Sequence, residues 1–277
     1  LTQISLQTKV SEKVLEGERL GPICLIIPPS VFLMDERVFM TLGILRIAAV
    51  LEQAGFKVEV LDLSGISNYP EAVKDHATFS SAKFFGLTAT TPQLPAAVKI
   101  AETLRAVRPD ARQILGGPHV TLVHAALKRE IREGKVGRAS QAFSQLEQMF
   151  DCLVAGDGEE SILEACRTNA PKIIDADDPK SHLFLTNSKL TELPFPARHL
   201  VDYNSYHYSI DGKRAYSLIA QLGCPFACGF CGGRESPMLR RVRMRTSESI
   251  VAEILHMWEM MGCEGFMFYD DELNVNK

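Results

Sequence analysis

The sequence has no long hydrophobic run. Its longest apolar stretches, such as residues 23–27, have the length of a β-strand and fall far short of a membrane-spanning helix. It also lacks a strong charge of one sign: 30 basic residues against 34 acidic ones leave a formal net charge of -4 at pH 7. This balance offers no general attraction to nucleic acid or to a membrane surface. Because no signal peptide is visible either, we expect a cytoplasmic protein without a membrane or nucleic-acid partner.

The cysteines do not suggest a disulfide framework, because there are seven of them. Four of them, Cys24, Cys152, Cys166 and Cys263, fall within predicted strands or helices, where we expect buried thiols in a reducing compartment. A second metal cluster held by Cys24, Cys152 and Cys166 is disfavoured because these residues lie inside apolar runs and not in loops.

From residue 22 onward, short apolar runs alternate with amphipathic stretches of helical spacing. This alternation is typical of βαβ units and predicts an α/β fold with a doubly wound, Rossmann-like parallel sheet. The predicted strands are residues 23–27, 57–61, 84–87, 113–115 and 152–155. The hydrophobic share of 46% is enough for a substantial core in two domains.

Several loops that follow these strands carry glycine, proline or threonine, at the edge where doubly wound sheets bind ligands. They are Pro28-Pro29-Ser30, Thr88 to Pro92, Gly116-Gly117-Pro118-His119 and Gly156-Asp157-Gly158-Glu159. Any one of them alone is best explained as a tight turn. Together they predict a ligand site at the carboxyl edge of the sheet.

A glycine-rich segment, residues 223–233, carries Cys224, Cys228 and Cys231 directly after the apolar run 216–220. Three thiolates on one loop are suited to a [4Fe-4S] cluster and leave one iron without a protein ligand. A zinc site, a disulfide and chance are the alternatives. Zinc is disfavoured because no second C-x2-C pair completes a tetrahedral set.

With the aromatic Phe230 before the last cysteine, this segment resembles the C-x3-C-x-aromatic-C signature of the radical SAM enzymes. The resemblance implies that the open iron binds the amino and carboxylate groups of S-adenosylmethionine (SAM), and that the reduced cluster splits its sulfonium bond to give a 5′-deoxyadenosyl radical. It also implies a set of SAM contacts, in which Arg245 is an alternative to Arg243. These are Phe230, Gly232, Gly233, Arg243, Asp270 and Asp271.

Residues 28–160 resemble the cobalamin-binding domain that precedes the radical SAM barrel in one class of that superfamily. The resemblance implies cobalamin contacts at Pro28, Pro29, Ser30, Thr88, Thr90, Thr91, Gly116, Gly117, Pro118, His119, Gly156, Asp157, Gly158 and Glu159. The D-x-H-x-x-G motif that supplies a lower histidine ligand is absent. We therefore expect base-off cobalamin with no protein histidine on cobalt, and His119 as a contact to the nucleotide tail or as a residue that orders its loop.

The predicted domains are a lead-in (1–20), the cobalamin-binding domain (21–168), a linker (169–213) and the start of a partial, TIM-like (β/α)6 radical SAM barrel (214–277). Within the linker, residues 175–179 are interpreted as a solvated turn. For the tyrosines at 203, 206 and 208, linker packing is favoured over the alternative that they line a cofactor face. A complete eight-stranded barrel takes roughly 250 residues. Because only two βα units fit after residue 216, we expect a truncated barrel and hence a fragment of a longer enzyme.

The resulting functional hypothesis is a B12-dependent radical SAM enzyme, most plausibly a methyltransferase. It would methylate an unactivated carbon with a [4Fe-4S] cluster, SAM and methylcobalamin. The alternatives are a B12-dependent radical SAM cyclase or rearrangement enzyme, or a non-catalytic corrinoid-binding module; a methylthiotransferase is disfavoured. The expected partners are a small-molecule substrate and an electron donor such as flavodoxin or ferredoxin.

Overall fold

The structure is a computed structural model that describes residues 21–275; the predicted lead-in, 1–20, lies outside this range. Its main feature is a six-stranded parallel sheet in the order β2-β1-β3-β4-β5-β6. The strands are β1 Ile23–Ile27, β2 Val58–Asp62, β3 Phe84–Thr88, β4 Arg112–Gly116, β5 Cys152–Gly156 and β6 Ile173–Ala176. The Rossmann-like sheet predicted from the sequence is confirmed, and so are its first five strands.

Helices cover both faces of this sheet. They are α1 Leu42–Gln53, α2 Tyr69–Phe79, α3 Leu94–Val107, α4 Pro118–Arg132, α5 Arg138–Met149 and α6 Gly158–Ala165. All five residues of β1 are buried, as expected for a central strand with two covered faces. Leu25 and Ile27 share a buried cluster with α1 and α6, whereas Cys24 and Ile26 share one with α2, α3 and α5. The period-two alternation of β1 thus supplies two separate cores.

The sixth strand corrects one interpretation of the sequence. Residues 175–177 do not belong to a solvated turn, because Asp175 and Ala176 end β6 and Asp177 is fully buried; residues 178 and 179 are exposed in a turn, as predicted. The strand was missed because it has only four residues, one of them acidic, and is followed by two more acidic residues. The domain boundaries remain a prediction, but the sheet continues past residue 168.

The glycine that ends β5 is required by its conformation and by its neighbour. Gly156 has a φ of +94°, and a Cβ on it would lie 2.3 Å from the backbone of Ala176 and Asp177. We expect Gly156→Ala to lower the free energy of unfolding by about 1–2 kcal/mol for the left-handed backbone and by about 1–3 kcal/mol more for the clash. Gly65→Ala is the matched control, since Gly65 has a φ of +74° and open space around its Cβ position. Urea denaturation measures both variants; equal losses would contradict the clash.

The remaining residues form a smaller part that packs against the sheet domain. Its helices are α7 Asn187–Glu192, α8 Pro237–Arg240 and α9 Ser247–Met261, and its strands are β7 Ser209–Ile210, β8 Lys213–Leu218, β9 Gln221–Leu222, β10 Arg243–Met244 and β11 Gly265–Phe268. β8 and β11 pair in parallel on either side of α9 in the sequence, which makes one βαβ unit. Leu218 and Met257 belong to the same buried cluster as Leu25. The partial barrel remains a prediction beyond this unit.

The linker is held by specific contacts. Tyr206 is buried and its hydroxyl donates to Asp62 at 2.6 Å, where Arg37 also forms an ion pair at 2.5 Å. The predicted packing role of this tyrosine is confirmed. No helix within residues 21–275 is long and apolar enough to cross a membrane.

Candidate functional site

The loops predicted to bind cobalamin are joined to one another at the carboxyl edge of the sheet. Gln93, after β3, donates from Nε2 to the carbonyl of Pro28, after β1, at 2.8 Å. Thr91 Oγ1 lies 3.0 Å from His119 Nδ1 at the start of α4. Because β1 and β3 are neighbours whose connections run to opposite sides, this edge is a topological switch point, where doubly wound sheets bind ligands.

Two further contacts extend this row of loops. Gly117 has a φ of +93°, and a Cβ on it would lie 2.5 Å from Thr88 Oγ1. In α4, the hydroxyl oxygen of Thr121 accepts a hydrogen bond at 2.9 Å from the backbone N–H of Gly156, at the end of β5. The structure therefore brings together the four loops that carry the predicted cobalamin residues. Their contacts with the cofactor remain predictions.

His119 is buried, and its backbone N–H donates to the carbonyl of Ala89 at 2.9 Å. Burial lowers the pKa of its imidazole, which favours the neutral form. Together with the Thr91 contact, this geometry gives His119 a loop-ordering role.

An apolar segment next to these loops was not identified from the sequence. Directly after the buried Ser30, Val31 is 89% exposed, Phe32 77% and Met34 107%. Adjacent exposed apolar side chains are typical of a ligand or partner site. The available signal was the run of four apolar residues that follows Pro-Pro-Ser.

Asp157 and Glu159, predicted to contact cobalamin, already have basic partners. Asp157 accepts from Arg243 Nη1 at 2.6 Å and from the backbone N–H of Leu185 at 2.9 Å. Burial raises the pKa of the Asp157 carboxyl to about 6, although Arg243 acts in the opposite direction. Glu159 lies 3.6 Å from Arg46, and both side chains are buried.

Arg243, the partner of Asp157, was predicted to contact SAM. Its side chain is 2% exposed, and its Nη2 donates to the carbonyl of Met238 at 2.9 Å. The guanidinium also lies over the ring of Phe184, 4.8 Å from the centroid. The structure thus commits Arg243 to joining the two parts of the chain, and its contact with SAM remains a prediction.

The three-cysteine loop is irregular and open. All three residues carry free thiols; Cys228 is exposed, and Cys224 and Cys231 are half-buried. The loop is fixed at its start, where the backbone N–H of Cys224 donates to Leu239 at 3.0 Å, and in its second half, where that of Cys231 donates to Cys228 at 3.1 Å. Its glycines at 229 and 232 have open space at their Cβ positions. Three accessible thiols beside open space fit an iron–sulfur cluster.

The segment after Cys231 is attached to the sheet edge. Asp177, directly after β6, accepts from Ser236 Oγ at 2.6 Å and from the backbone N–H of Met238 at 2.8 Å. Arg129 of α4 lies 3.4 Å from Glu235. These contacts attach the segment that directly follows the cysteine loop to α4 and to the residue that follows β6.

Among the predicted SAM residues, Asp270 has an unused acceptor. Its Oδ1 accepts from the backbone N–H groups of Ala220 and Gln221 at 2.9 and 2.5 Å. Its Oδ2 is buried and has no hydrogen-bond partner among the described residues. Burial raises the pKa of this carboxyl. An orphaned carboxylate oxygen at the entry to the cysteine loop fits the ammonium of an amino-acid ligand.

The other predicted SAM residues differ in their surroundings. Phe230 is 93% exposed and Asp271 is exposed. Gly232 is open, whereas a Cβ on Gly233 would lie 2.8 Å from Leu239 Cδ1. The glycine at 233 is therefore explained by packing.

The family comparison supports this arrangement. Residues 36–147 match the family model of the B12 binding domain. The matched range contains the loops after β3 and β4, and the fold around it is that of cobalamin-dependent radical SAM enzymes of known structure. The chain thus carries a match to the B12 binding domain and resembles cobalamin-binding-domain radical SAM enzymes in fold.

Two solved structures share the fold of this chain. TsrM from Kitasatospora setae, a radical SAM methyltransferase solved with tryptophan substrate and a SAM analogue, has a TM-score of 0.63 at 17% identity; the match covers 91% of this chain and 48% of TsrM. OxsB, a cobalamin-dependent radical SAM enzyme solved with aqua-cobalamin, has a TM-score of 0.64 at 16% identity; the match covers 92% of this chain and 34% of OxsB.

Curated proteins that are similar to this chain carry different activities. An uncharacterized methyltransferase of Pyrococcus horikoshii is 25% identical over 262 residues, which is 92% of this chain and 54% of the relative. The anaerobic magnesium-protoporphyrin IX monomethyl ester cyclase of Cereibacter sphaeroides is 24% identical over 208 residues, 69% of this chain and 30% of the cyclase. The chain thus spans about half or less of the length of these relatives.

A buried charge network of the protein was also missed from the sequence. Glu253 of α9 accepts from Arg198 at 2.7 Å and forms a second ion pair with Arg245. Burial alone would raise the pKa of the Glu253 carboxyl, but the two arginines lower it below its ordinary value. Arg245, the alternative SAM contact, is thereby occupied in the structure.

Proposed function

We propose that the protein acts in a B12-dependent radical SAM methyltransferase that methylates an unactivated carbon. One observation carries the proposal: the Asp157–Arg243 and Asp177–Ser236 contacts hold the three-cysteine loop beside the carboxyl edge of the B12-binding sheet. These contacts support a position of the candidate cluster site close to the candidate cobalamin site. The methyltransferase relative also aligns with more of the chain than the cyclase does.

Each cofactor has residues that would hold it. Cys224, Cys228 and Cys231 would supply thiolates to the cluster, and Asp270 Oδ2 would accept from the SAM ammonium. When bound, these cofactors supply one-electron cleavage of SAM and a transferable methyl group. The exposed apolar residues at 31–34 and at 226 and 230 would be covered by cofactor or substrate, which would exclude water from the radical chemistry.

Cofactor uptake and methyl transfer test the proposal separately. The full-length protein is reconstituted anaerobically with iron, sulfide and hydroxocobalamin, desalted, and examined by absorption spectroscopy. SAM with a deuterated methyl group is then added with reductant, and the label is followed into the corrinoid fraction. We expect iron–sulfur and corrin absorbance, and label in the corrinoid. Absence of a corrin band contradicts B12 binding; 5′-deoxyadenosine formation without label transfer favours the cyclase alternative.

The role of Asp270 gives a specific prediction. Asp270→Asn removes the charge that would face the SAM ammonium, and a charge-assisted hydrogen bond contributes about 1.5–3 kcal/mol. We therefore expect SAM affinity to fall by about tenfold or more, measured by equilibrium dialysis on the cluster-loaded protein. Asp271→Asn, at the exposed neighbour, is the control and should bind SAM as the wild type does. Equal affinity in both variants would assign Asp270 to capping the β8 end alone.

A further inference from the structure

A second group of potential metal ligands lies away from the cofactor edge. Cys24 of β1 pairs in register with Glu59 of β2, and His76 of α2 covers both. His76 Nε2 lies 3.5 Å from Cys24 Sγ and 3.1 Å from Glu59 Oε2. Of the described residues, these three form the one Cys/His/acid group whose ligand atoms all lie within 4.8 Å of one another.

We propose that Cys24, Glu59 and His76 form a binding site for a divalent zinc-like cation. Zinc binds sulfur at about 2.3 Å and nitrogen or oxygen at about 2.0–2.1 Å, with tetrahedral angles between the ligands. In that geometry the sulfur ligand lies about 3.5 Å from the nitrogen ligand, and the nitrogen ligand lies about 3.3 Å from the oxygen ligand. The observed distances from His76 Nε2, 3.5 Å to Cys24 Sγ and 3.1 Å to Glu59 Oε2, agree with these values. Thiolate, imidazole and carboxylate are also the ligand types that zinc selects.

The surroundings supply support and access. Ser80 Oγ donates to Glu59 Oε2 at 2.8 Å, which orients the carboxylate in the manner of an outer-shell partner. The side chains of His76 and Glu59 are 30% and 23% exposed, so a cation can reach the group from solvent. Burial raises the pKa of the Cys24 thiol, and binding must therefore release its proton to solvent.

The position of the site separates it from the proposed function. Cys24 and Glu59 are each the second residue of their strands, whereas the cofactor loops follow the last residues. A cation here would join α2 to β1 and β2. The proposal therefore stands or falls independently of methyl transfer.

Metal titration of the full chain tests the site. Because Cys224, Cys228 and Cys231 can also bind zinc, the background protein carries alanine at these three positions. Zinc is titrated and quantified after desalting, and Co²⁺ is added as a spectroscopic probe. We expect one bound equivalent, a thiolate-to-cobalt charge-transfer band and a tetrahedral ligand-field spectrum.

One ligand variant, one outer-shell variant and one control test the assignment. His76→Asn, at the half-exposed ligand, should reduce zinc affinity by more than the ten- to hundredfold expected for Ser80→Ala. His182→Asn is the matched control, since the His182 side chain is 79% exposed and lies elsewhere. A cobalt spectrum without thiolate character, or an unchanged affinity in His76→Asn, would overturn the proposal and leave the group as an ordinary Glu59–His76 ion pair.

Discussion

Alanine at Cys224, Cys228 and Cys231 together is expected to abolish iron loading and the reductive cleavage of SAM. The reason is that a cluster with an open iron needs all three thiolates, and the described part of the chain offers no comparable set of loop thiols. Iron content after anaerobic reconstitution and 5′-deoxyadenosine formation measure the loss. We expect both to fall to the level of a protein-free control.

Corrinoid binding should survive in this triple variant, because the predicted cobalamin loops belong to the sheet domain. The matched control is Cys166→Ala, at a half-buried thiol outside the loop, which should keep both iron and SAM cleavage. Iron retained by the triple variant would contradict the cluster assignment. Loss of the corrin as well would mean that the cysteine loop also shapes the cobalamin site.

Glu253→Gln is expected to lower the free energy of unfolding by about 3–5 kcal/mol, the usual cost of removing one partner from a buried ion pair. Glu253 is 1% exposed, and its loss leaves Arg198 and Arg245 buried without a counter-charge. Two nitrogen atoms of Arg198 already lack hydrogen-bond partners, so no other described residue is in place to take over from Glu253. Urea unfolding at neutral pH measures the difference.

The pH dependence of the stability difference between wild type and Glu253→Gln provides a second test. Because the folded pKa of Glu253 lies below its ordinary value of 4.5, its contribution is complete above that pH and is lost as the pH falls through the folded pKa. The gap between wild type and Glu253→Gln should therefore narrow in acid. Glu259→Gln, at an exposed position of the same helix, should change stability by about 0.5 kcal/mol or less. A similar loss in both variants would show that the network contributes no net stability.

The sheet could be predicted largely because its signal is local. The first five strands are apolar runs bounded by turn residues, and each was located to within about one residue at either end. β6 was not, because Ile173–Ala176 is short and its end reads as polar. Asp177 illustrates the difficulty: an acid that looks solvated in sequence is fully buried against Ser236, 59 residues later.

The candidate site also contains features that the sequence reveals and features that only folding brings together. Motifs that are contiguous, such as the cysteine loop and Gly116 to His119, were visible in the sequence. Pairs that depend on folding were not: Asp157 and Arg243 are 86 residues apart, and Cys24 and His76 are separated by 52. Asp157, Arg243 and Cys24 were noticed singly in the sequence, but the partner that defines the role of each could be found only in three dimensions.

The buried pair between Asp157 and Arg243 has an evolutionary consequence. Neither residue can be replaced alone without leaving an uncompensated charge in the interior, so substitutions at the two positions should occur together among homologous sequences. Recombination between relatives at a point inside 158–242 would separate the partners and bring mismatched ones together. Chimeras joined there are therefore expected to fold poorly unless both positions come from the same parent.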